Sequence, residues 1–351
     1  MASIDIDDPK SCAGCHAPIV AEWEESMHAR AHHDNDPIYG AMRALRMEKQ
    51  GAAVADKCAQ CHTPRAVADG DQPEGRVGVS CATCHNVAEV HLDGKKKGAA
   101  ALAWAEDGML RGPHDITSST APHGTGLAAP HLTDGQSVCL ACHAATKTPA
   151  GLDACTTGPE HEAHSGEESC TDCHMPPAEG ASGPFSTRDS HASHRFLGPH
   201  RAWLQDDPSI LAAAVDLGVA FDGGAVVVSL ANKAGHAFPS GFPGRTATVS
   251  VVGKDAAGAV AWEAPPTTLN KVYLDGEGQP AMPPFADTLA KDTRLAADEQ
   301  RALRWDVPAE VVSVEAAVRF FLLPPPAARA LGLSETQEAE PKTIATAMAG
   351  R

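Results

Sequence analysis

The sequence Cys12-Ala-Gly-Cys15-His16 opens a pattern in which two cysteines enclose two residues and a histidine follows the second cysteine. The further copies are Cys58-Ala-Gln-Cys61-His62, Cys81-Ala-Thr-Cys84-His85, Cys139-Leu-Ala-Cys142-His143 and Cys170-Thr-Asp-Cys173-His174. Ten of the eleven cysteines belong to these five copies, and Cys155 is the remaining one. Because no copy lacks its histidine, the pattern indicates one chemistry at five positions.

The spacing of the pattern fits covalent attachment of haem. Two thiols three positions apart can reach the two vinyl groups on one edge of a porphyrin, and the next histidine lies under the iron as its proximal ligand. We therefore predict five haem c groups. The proximal ligands are His16, His62, His85, His143 and His174, and the thioether bonds involve Cys12, Cys15, Cys58, Cys61, Cys81, Cys84, Cys139, Cys142, Cys170 and Cys173.

Three other interpretations fit the pattern less well. Structural zinc sites use pairs of cysteine pairs, for which five is an odd number, and they do not need a histidine after each pair. A thioredoxin-like motif usually occurs once, in a βαβ setting that this sequence lacks. Disulfide bonds would not explain the histidines. We expect Cys155 to be an incidental thiol.

Length and charge narrow the class of protein. A chain of 351 residues suits two domains. Aromatic residues make up only 4% of it, and porphyrins can supply the flat apolar bodies that aromatic side chains otherwise provide. The formal net charge of −17 argues against binding to nucleic acid or anionic lipid and favours basic partners or cationic metals, although plain solubility explains it equally well.

The sequence contains no predicted membrane span. The most apolar stretch, residues 210–221, is short and includes Asp216. The N-terminal residues 1–9 are acidic and lack an apolar signal region. Because haem is normally attached covalently outside the cytoplasm, we expect a periplasmic or extracellular protein whose export signal is missing from this sequence.

Periodicity predicts helices in the first half and strands in the second. Helical spacing favours helices at residues 19–32, 37–50 and 137–147. After Trp203 there are no further cysteines, and only His236 follows among the histidines. Apolar or alternating runs predict strands at residues 225–231, 246–252, 259–262, 302–307 and 314–323.

These patterns predict a two-domain fold. A haem-packed, α-helical and irregular multihaem cytochrome c domain spans residues 1–204, and an all-β, sandwich-like domain spans residues 205–325. Residues 326–351 are expected to form a short helical or flexible tail.

Several motifs resemble one known family. They are Cys12-x-x-Cys15-His16-x-x-Ile19-x-x-x-Trp23-x-x-Ser26-Met27-His28-Ala29, Cys170-x-x-Cys173-His174-Met175-Pro176, His194-Arg-Phe-x-Gly-x-His200 and Gly235-His236-x-Phe238-Pro239-Ser240-Gly241-x-Pro243-x-Arg245. The chain resembles cytochrome c554-like multihaem cytochromes that carry a C-terminal β-domain. The resemblance implies the two-domain architecture more firmly than it implies a reaction. It also implies that His28, His194 and His200 are haem ligands.

The eighteen histidines leave thirteen beyond the proximal ligands, which is enough for a sixth ligand on every haem. The candidates for these distal positions are His28, His114, His123, His161, His164, His194 and His200. His114 and His123 each follow a proline in loop sequence, and His161 and His164 precede the last motif. We expect His32, His33, His91, His131 and His191 at the surface and His236 to be structural.

Bis-histidine ligation leaves no open position on the iron, so such haems pass electrons without binding substrate. The sequence therefore predicts an electron carrier for extracytoplasmic respiratory or extracellular electron transfer, with basic redox proteins or extracellular acceptors as partners. One alternative is an oxidoreductase that acts on a small nitrogen or sulfur compound at one open haem. Others are a subunit of a polymeric haem wire formed by self-assembly, and a haem-bearing sensor.

Overall fold

The computed structural model describes residues 4–68, 77–106, 108–116 and 121–351. The chain forms two compact units. The first unit comprises residues 1–143 and 167–198, and the second, which we call the β-unit, comprises residues 144–166 and 199–351. The predicted domain border at residue 204 is therefore wrong for residues 144–166, which belong with the strands and not with the haem motifs.

Helices in the described residues are mostly short. They are α1 (Pro9–Glu24), α2 (Pro37–Gln50), α3 (Ala52–Ala55), α4 (Ala59–His62), α5 (Pro64–Ala68), α6 (Cys81–His85), α7 (Pro130–Thr133), α8 (Ser137–His143), α9 (Thr157–Glu162), α10 (Cys170–His174), α11 (Arg201–Leu204), α12 (Ser209–Ala213) and α13 (Pro325–Leu331). Across the described ranges, no helix combines the length and the apolar character needed to cross a bilayer.

The predicted helix over residues 37–50 is confirmed as α2, which Asp36 caps by accepting from the amides of Ile38 and Tyr39. The prediction for residues 19–32 is wrong beyond Glu24, where α1 ends. The Ser26 hydroxyl bonds to the Trp23 carbonyl at 2.6 Å, and such a bond competes with helix continuation. The third predicted helix ends at His143 instead of residue 147.

The strands are antiparallel wherever they pair as named elements. They are β1 (Val87–Val90), β2 (Leu102–Trp104), β3 (Pro177–Glu179), β4 (Ser190–Ala192), β5 (Val215–Asp222), β6 (Ala225–Asn232), β7 (Thr246–Lys254), β8 (Val260–Glu263), β9 (Thr267–Leu269), β10 (Lys271–Leu274), β11 (Thr288–Asp292), β12 (Gln300–Asp306), β13 (Ser313–Phe321) and β14 (Lys342–Gly350). The first unit contains two small two-stranded sheets, β1–β2 and β3–β4.

The β-unit has two larger sheets, as the sequence predicts, and a two-stranded sheet of β10 and β11. One sheet has the order β12-β6-β5, and the other has the order β14-β13-β7-β8 with β9 also on β7. Strand β5 packs against β14 and β13. Side chains alternate between the two faces, so that Val226, Val228 and Leu230 of β6 are fully buried. The all-β, sandwich-like prediction is therefore confirmed.

Two strands of the β-unit, β5 and β14, are not among the predicted strands. The tail is not a flexible terminus, because residues 342–350 form β14 and pair with β13 along their whole length. The apolar stretch of residues 210–221 lies in α12 and β5. Strand β5 forms a hairpin with the following β6.

Residues 144–166 are held to the strands of the β-unit by polar contacts. The Lys271 ammonium donates to the Ala154 carbonyl at 2.9 Å, and the Tyr273 hydroxyl donates to the Asp153 carbonyl at 2.6 Å. Arg294 and Glu160, each 11% exposed, form an ion pair at 2.8 Å. These bonds explain why the segment belongs to the β-unit, although it lies between two haem motifs in the sequence.

The charge state of Glu160 makes this anchor pH-dependent. Burial raises the pKa of Glu160, but hydrogen bonds from Ser240 and Thr156 and the Arg294 guanidinium hold it below its ordinary value of 4.5. A carboxylate with a lowered pKa stabilises the folded state fully above its unfolded-state pKa. The stabilisation is then lost as the pH falls below about 4.5.

We predict that Arg294→Ala lowers the stability of the β-unit by about 3 kcal/mol, because it leaves the Glu160 carboxylate buried without its cation. Arg304→Ala is the matched control, since Arg304 pairs with Asp222 where both side chains are more than half exposed. Its expected effect is below about 1 kcal/mol. Differential scanning calorimetry of the full chain at neutral pH measures both. Equal losses of stability in the two variants would contradict the role of the Arg294–Glu160 ion pair as an anchor.

Candidate haem sites

Each cysteine pair and its histidine lie on a single helical turn. The motifs occupy part of α1, the end of the 3-10 helix Asp56–Cys58 with α4, and then α6, α8 and α10. Positions i, i+3 and i+4 share one face of a helix, so the two thiols and the imidazole of each motif emerge on the same side. At His16 the backbone leaves helical geometry, with φ −113° and ψ 35°.

Main-chain carbonyls hold the rings of four motif histidines. The Nδ1 atoms of these rings lie 2.6 Å from the Ser182 carbonyl for His16, 3.0 Å from Ala31 for His62 and 2.6 Å from Arg111 for His85, and His174 is bonded in the same way to Leu197. A carbonyl accepts only, so each Nδ1 carries the hydrogen. The Nε2 lone pair of each ring is therefore directed away as a metal ligand.

Three pairs of imidazole rings face each other in the first unit, and each pair joins a motif histidine to a histidine from elsewhere in the chain. The ring centroids are 6.4 Å apart for His16 and His123, 6.3 Å apart for His143 and His28, and 6.2 Å apart for His85 and His194. Similar ring spacing in three independent pairs indicates that the pairs share one function.

The spacing of these rings fits one iron between each pair. Metal–imidazole bonds of about 2.0 Å put two rings on opposite sides of a metal ion with centroids about 6 Å apart. Two thiols beside each motif histidine supply the covalent attachment that haem c requires. The donor set and the ring spacing therefore suit haem c, which when bound supplies reversible one-electron redox chemistry.

Burial keeps the distal rings of two pairs neutral. Burial first, and then the nearby His143, His174 and His194, lower the pKa of His28 to about 3. Burial and the neighbouring His85 lower the pKa of His194 to about 4. Since only a neutral imidazole can donate a lone pair to a metal, both rings are in the ligand form at neutral pH.

The surroundings of the distal rings fix their directions. The Nδ1 atom of His194 bonds to the Ala192 carbonyl at 2.8 Å, and that of His123 bonds to the Gly124 carbonyl at 3.0 Å. Phe196 packs edge-on against the His28 ring with centroids 4.2 Å apart. The buried Nδ1 of His28 has no hydrogen-bond partner among the described residues.

The other predicted distal candidates lie in different surroundings. His114 is exposed. In the β-unit, the Nδ1 atom of His161 bonds to the Gly235 carbonyl at 2.9 Å, and that of His164 bonds to the Asp298 carboxylate at 2.7 Å. Burial and then Arg245 lower the pKa of His200 to about 3. His161, His164 and His200 therefore have surroundings that suit ligands.

Three histidines that the sequence predicts at the surface are buried. His32 is 2% exposed and His131 is 6% exposed, and the side chain of His191 is 6% exposed. The sequence contains one weak signal for His131, which follows a proline as His114 and His123 do. Burial of His191 depends on a contact with Glu22, which no local pattern indicates.

Thiols of different motifs lie in hydrogen-bond contact with each other. The contacts join Cys12 to Cys81, Cys61 to Cys142, and Cys139 to Cys170. No disulfide joins any of the cysteines, all of which lie within the described ranges. The attachment points of the motifs are thus side by side, and the fourth motif adjoins both the second and the fifth.

Comparison with known proteins agrees with this geometry. Residues 11–86 match the family model described as cytochrome c554 and c-prime. No curated protein sequence matches the chain.

Solved structures add a likeness over the whole chain. The crystal structure of a penta-heme cytochrome c552 from Thermochromatium tepidum matches with a TM-score of 0.83 and 23% identity, over 99% of this chain and 100% of that chain. A structural-genomics target matches over 39% of this chain and 82% of its own with 8% identity, and its TM-score of 0.17 carries no argument. The similarity to the cytochrome c554 and c-prime family covers residues 11–86, and over its whole length the chain shares the fold of that penta-heme cytochrome c552.

Proposed function

We propose that this protein carries electrons through five covalently bound haem c groups, most of them ligated by two histidines. The three ring pairs that face each other at 6.2 to 6.4 Å carry this proposal. In it, His123 is the distal ligand opposite His16, His28 is opposite His143, and His194 is opposite His85. His62 and His174 are the other proximal ligands, and His161, His164 and His200 remain predicted distal ligands.

Two histidines on one iron favour electron transfer over catalysis. Both axial positions are filled, so a substrate would have to displace a protein ligand. Histidine in place of a thioether ligand also lowers the reduction potential, because the thioether favours Fe(II). The thiol contacts between motifs support close spacing of the haems, which a path for electrons requires.

The chemistry of haem attachment supports a cellular location for the protein, and its charge supports a class of redox partner. We place it outside the cytoplasm, in the periplasm or at the cell exterior, because haem c is normally attached there. The formal net charge of −17 favours a donor or acceptor with a basic docking surface, and it raises the rate at which such partners associate at low salt.

Electron paramagnetic resonance of the oxidised protein tests the ligation. After the haem content has been counted by pyridine haemochrome assay, we expect five haems per chain and low-spin ferric signals only. A high-spin ferric signal from one haem in five would contradict full six-coordination. It would favour the alternative of an oxidoreductase that works at an open haem.

A pair of substitutions tests the assignment of one distal ligand. We predict that His123→Ala opens the haem of the first motif, so that a high-spin ferric signal appears and the reduced protein binds carbon monoxide. His114→Ala is the matched control, because His114 also follows a proline but is exposed. It should leave the spectrum unchanged. If His114→Ala opened a haem and His123→Ala did not, the assignment would be wrong.

A further inference from the structure

We infer that Glu22 is a positioning residue that holds the distal ligand His194 in place and lowers the reduction potential of the haem between His85 and His194. This inference rests on the proposed bis-histidine ligation of that haem. Glu22 lies on α1, outside the haem-attachment pattern, and is 6% exposed. A carboxylate buried this deeply needs compensating donors, since an unpaired buried charge is costly.

Both oxygens of the Glu22 carboxylate bind the segment that carries His194. Oε2 accepts from the backbone amide of His194 at 2.8 Å and lies 3.3 Å from Nε2 of His191. Oε1 accepts from the Arg195 guanidinium at 2.7 Å. One side chain of α1 therefore fixes three residues within a span of five, and the middle one of the three is the proposed ligand.

The ring of His194 is fixed from a second direction. Its Nδ1 donates to the Ala192 carbonyl at 2.8 Å, while Glu22 holds its main chain. Its plane lies 19° from that of His85, which is nearer to parallel than the other two pairs at 34° and 38°. The main-chain anchor and the ring anchor together determine how His194 faces His85.

The hairpin around His194 is tied to the same carboxylate. His191 lies on β4 with its Nδ1 2.8 Å from the Gly180 carbonyl, so its ring lies between Gly180 and Glu22. Groups that orient a metal ligand without touching the metal commonly change the properties of the site by about 10-fold to 100-fold when removed. A negative charge held beside the ligand also favours Fe(III) over Fe(II), which lowers the potential.

Glu25 provides a matched control on the same stretch of chain. Its carboxylate accepts from Nε of the same Arg195 at 3.1 Å, but its side chain is 41% exposed. Glu25→Gln removes the same unit of charge three positions away without removing an acceptor of the His194 amide. Water screens an exposed charge far more strongly than a buried one.

The experiment is a spectroelectrochemical titration of the full-length, fully haem-loaded protein. In Glu22→Gln we expect one of the haem transitions to move to higher potential by roughly a tenfold change in its Fe(II)/Fe(III) ratio, about 59 mV for a one-electron couple. The low-spin signal of that haem should change its g values, because these depend on the angle between the two rings. Glu25→Gln should leave both properties near those of the parent protein.

Further variants identify the haem and separate the possible failures. His194→Ala should convert the same haem to high spin; if it converts none, the proposed ligation is wrong irrespective of Glu22. Glu22→Asp keeps the charge and should restore most of the potential. Arg195→Gln removes a cation and should therefore lower the reduction potential of the same haem. This variant also tests the inference if Glu22→Gln does not assemble.

Two results would overturn the inference. In the first, His194→Ala identifies the haem, but Glu22→Gln leaves the potential and the g values of that haem unchanged. If Glu22→Gln does not assemble, the same unchanged potential and g values in Arg195→Gln would overturn the inference. In the second, Glu22→Gln and Glu25→Gln shift the reduction potentials of all haems by the same amount, which would mean that only the total charge of the protein sets these potentials. A merely structural role for Glu22 would lower stability without moving one haem selectively.

Discussion

Three pairs of imidazole rings face each other in the first unit at 6.2 to 6.4 Å, and the proposed haem ligation depends on this spacing. Three of the motifs contribute one ring each from a helical turn, and the opposite ring comes from a segment far away in the sequence. Main-chain carbonyls in loops hold most of the motif rings by their Nδ1 atoms. The loops of this unit therefore hold the motif rings in place, although they contain little regular secondary structure.

The two units differ in what fills their interiors. In the first unit, one small apolar cluster is formed by Val87, Ala101, Leu102 and Ala141, and the proposed haems would add large apolar bodies to the interior. The β-unit has the alternating buried valines and leucines of a two-sheet core, and it needs no cofactor to exclude water. Haem loss should consequently affect the two units very differently.

Acidic residues have two roles in this protein. Most are exposed and give the molecule its negative charge, which governs how partners approach. Glu22 and Glu160 are instead held inside by cations and hydrogen-bond donors, and each ties one segment of the chain to another. Glu160 fixes residues 144–166 to the β-unit, while Glu22 fixes the segment of His194 to α1.

The sequence by itself determined the haem-attachment sites, the helix α2 and the strands of the larger hydrophobic runs. These features are local, because a motif of five residues or an alternating strand contains its own chemistry. Only the tertiary structure decided which histidines face each other, since the members of each pair lie more than 100 positions apart. It also buried His191 beside Glu22, paired β14 with β13, and joined residues 144–166 to the β-unit. An imidazole or a carboxylate has the same sequence signature whether it is exposed or buried, and long-range packing alone sets the difference.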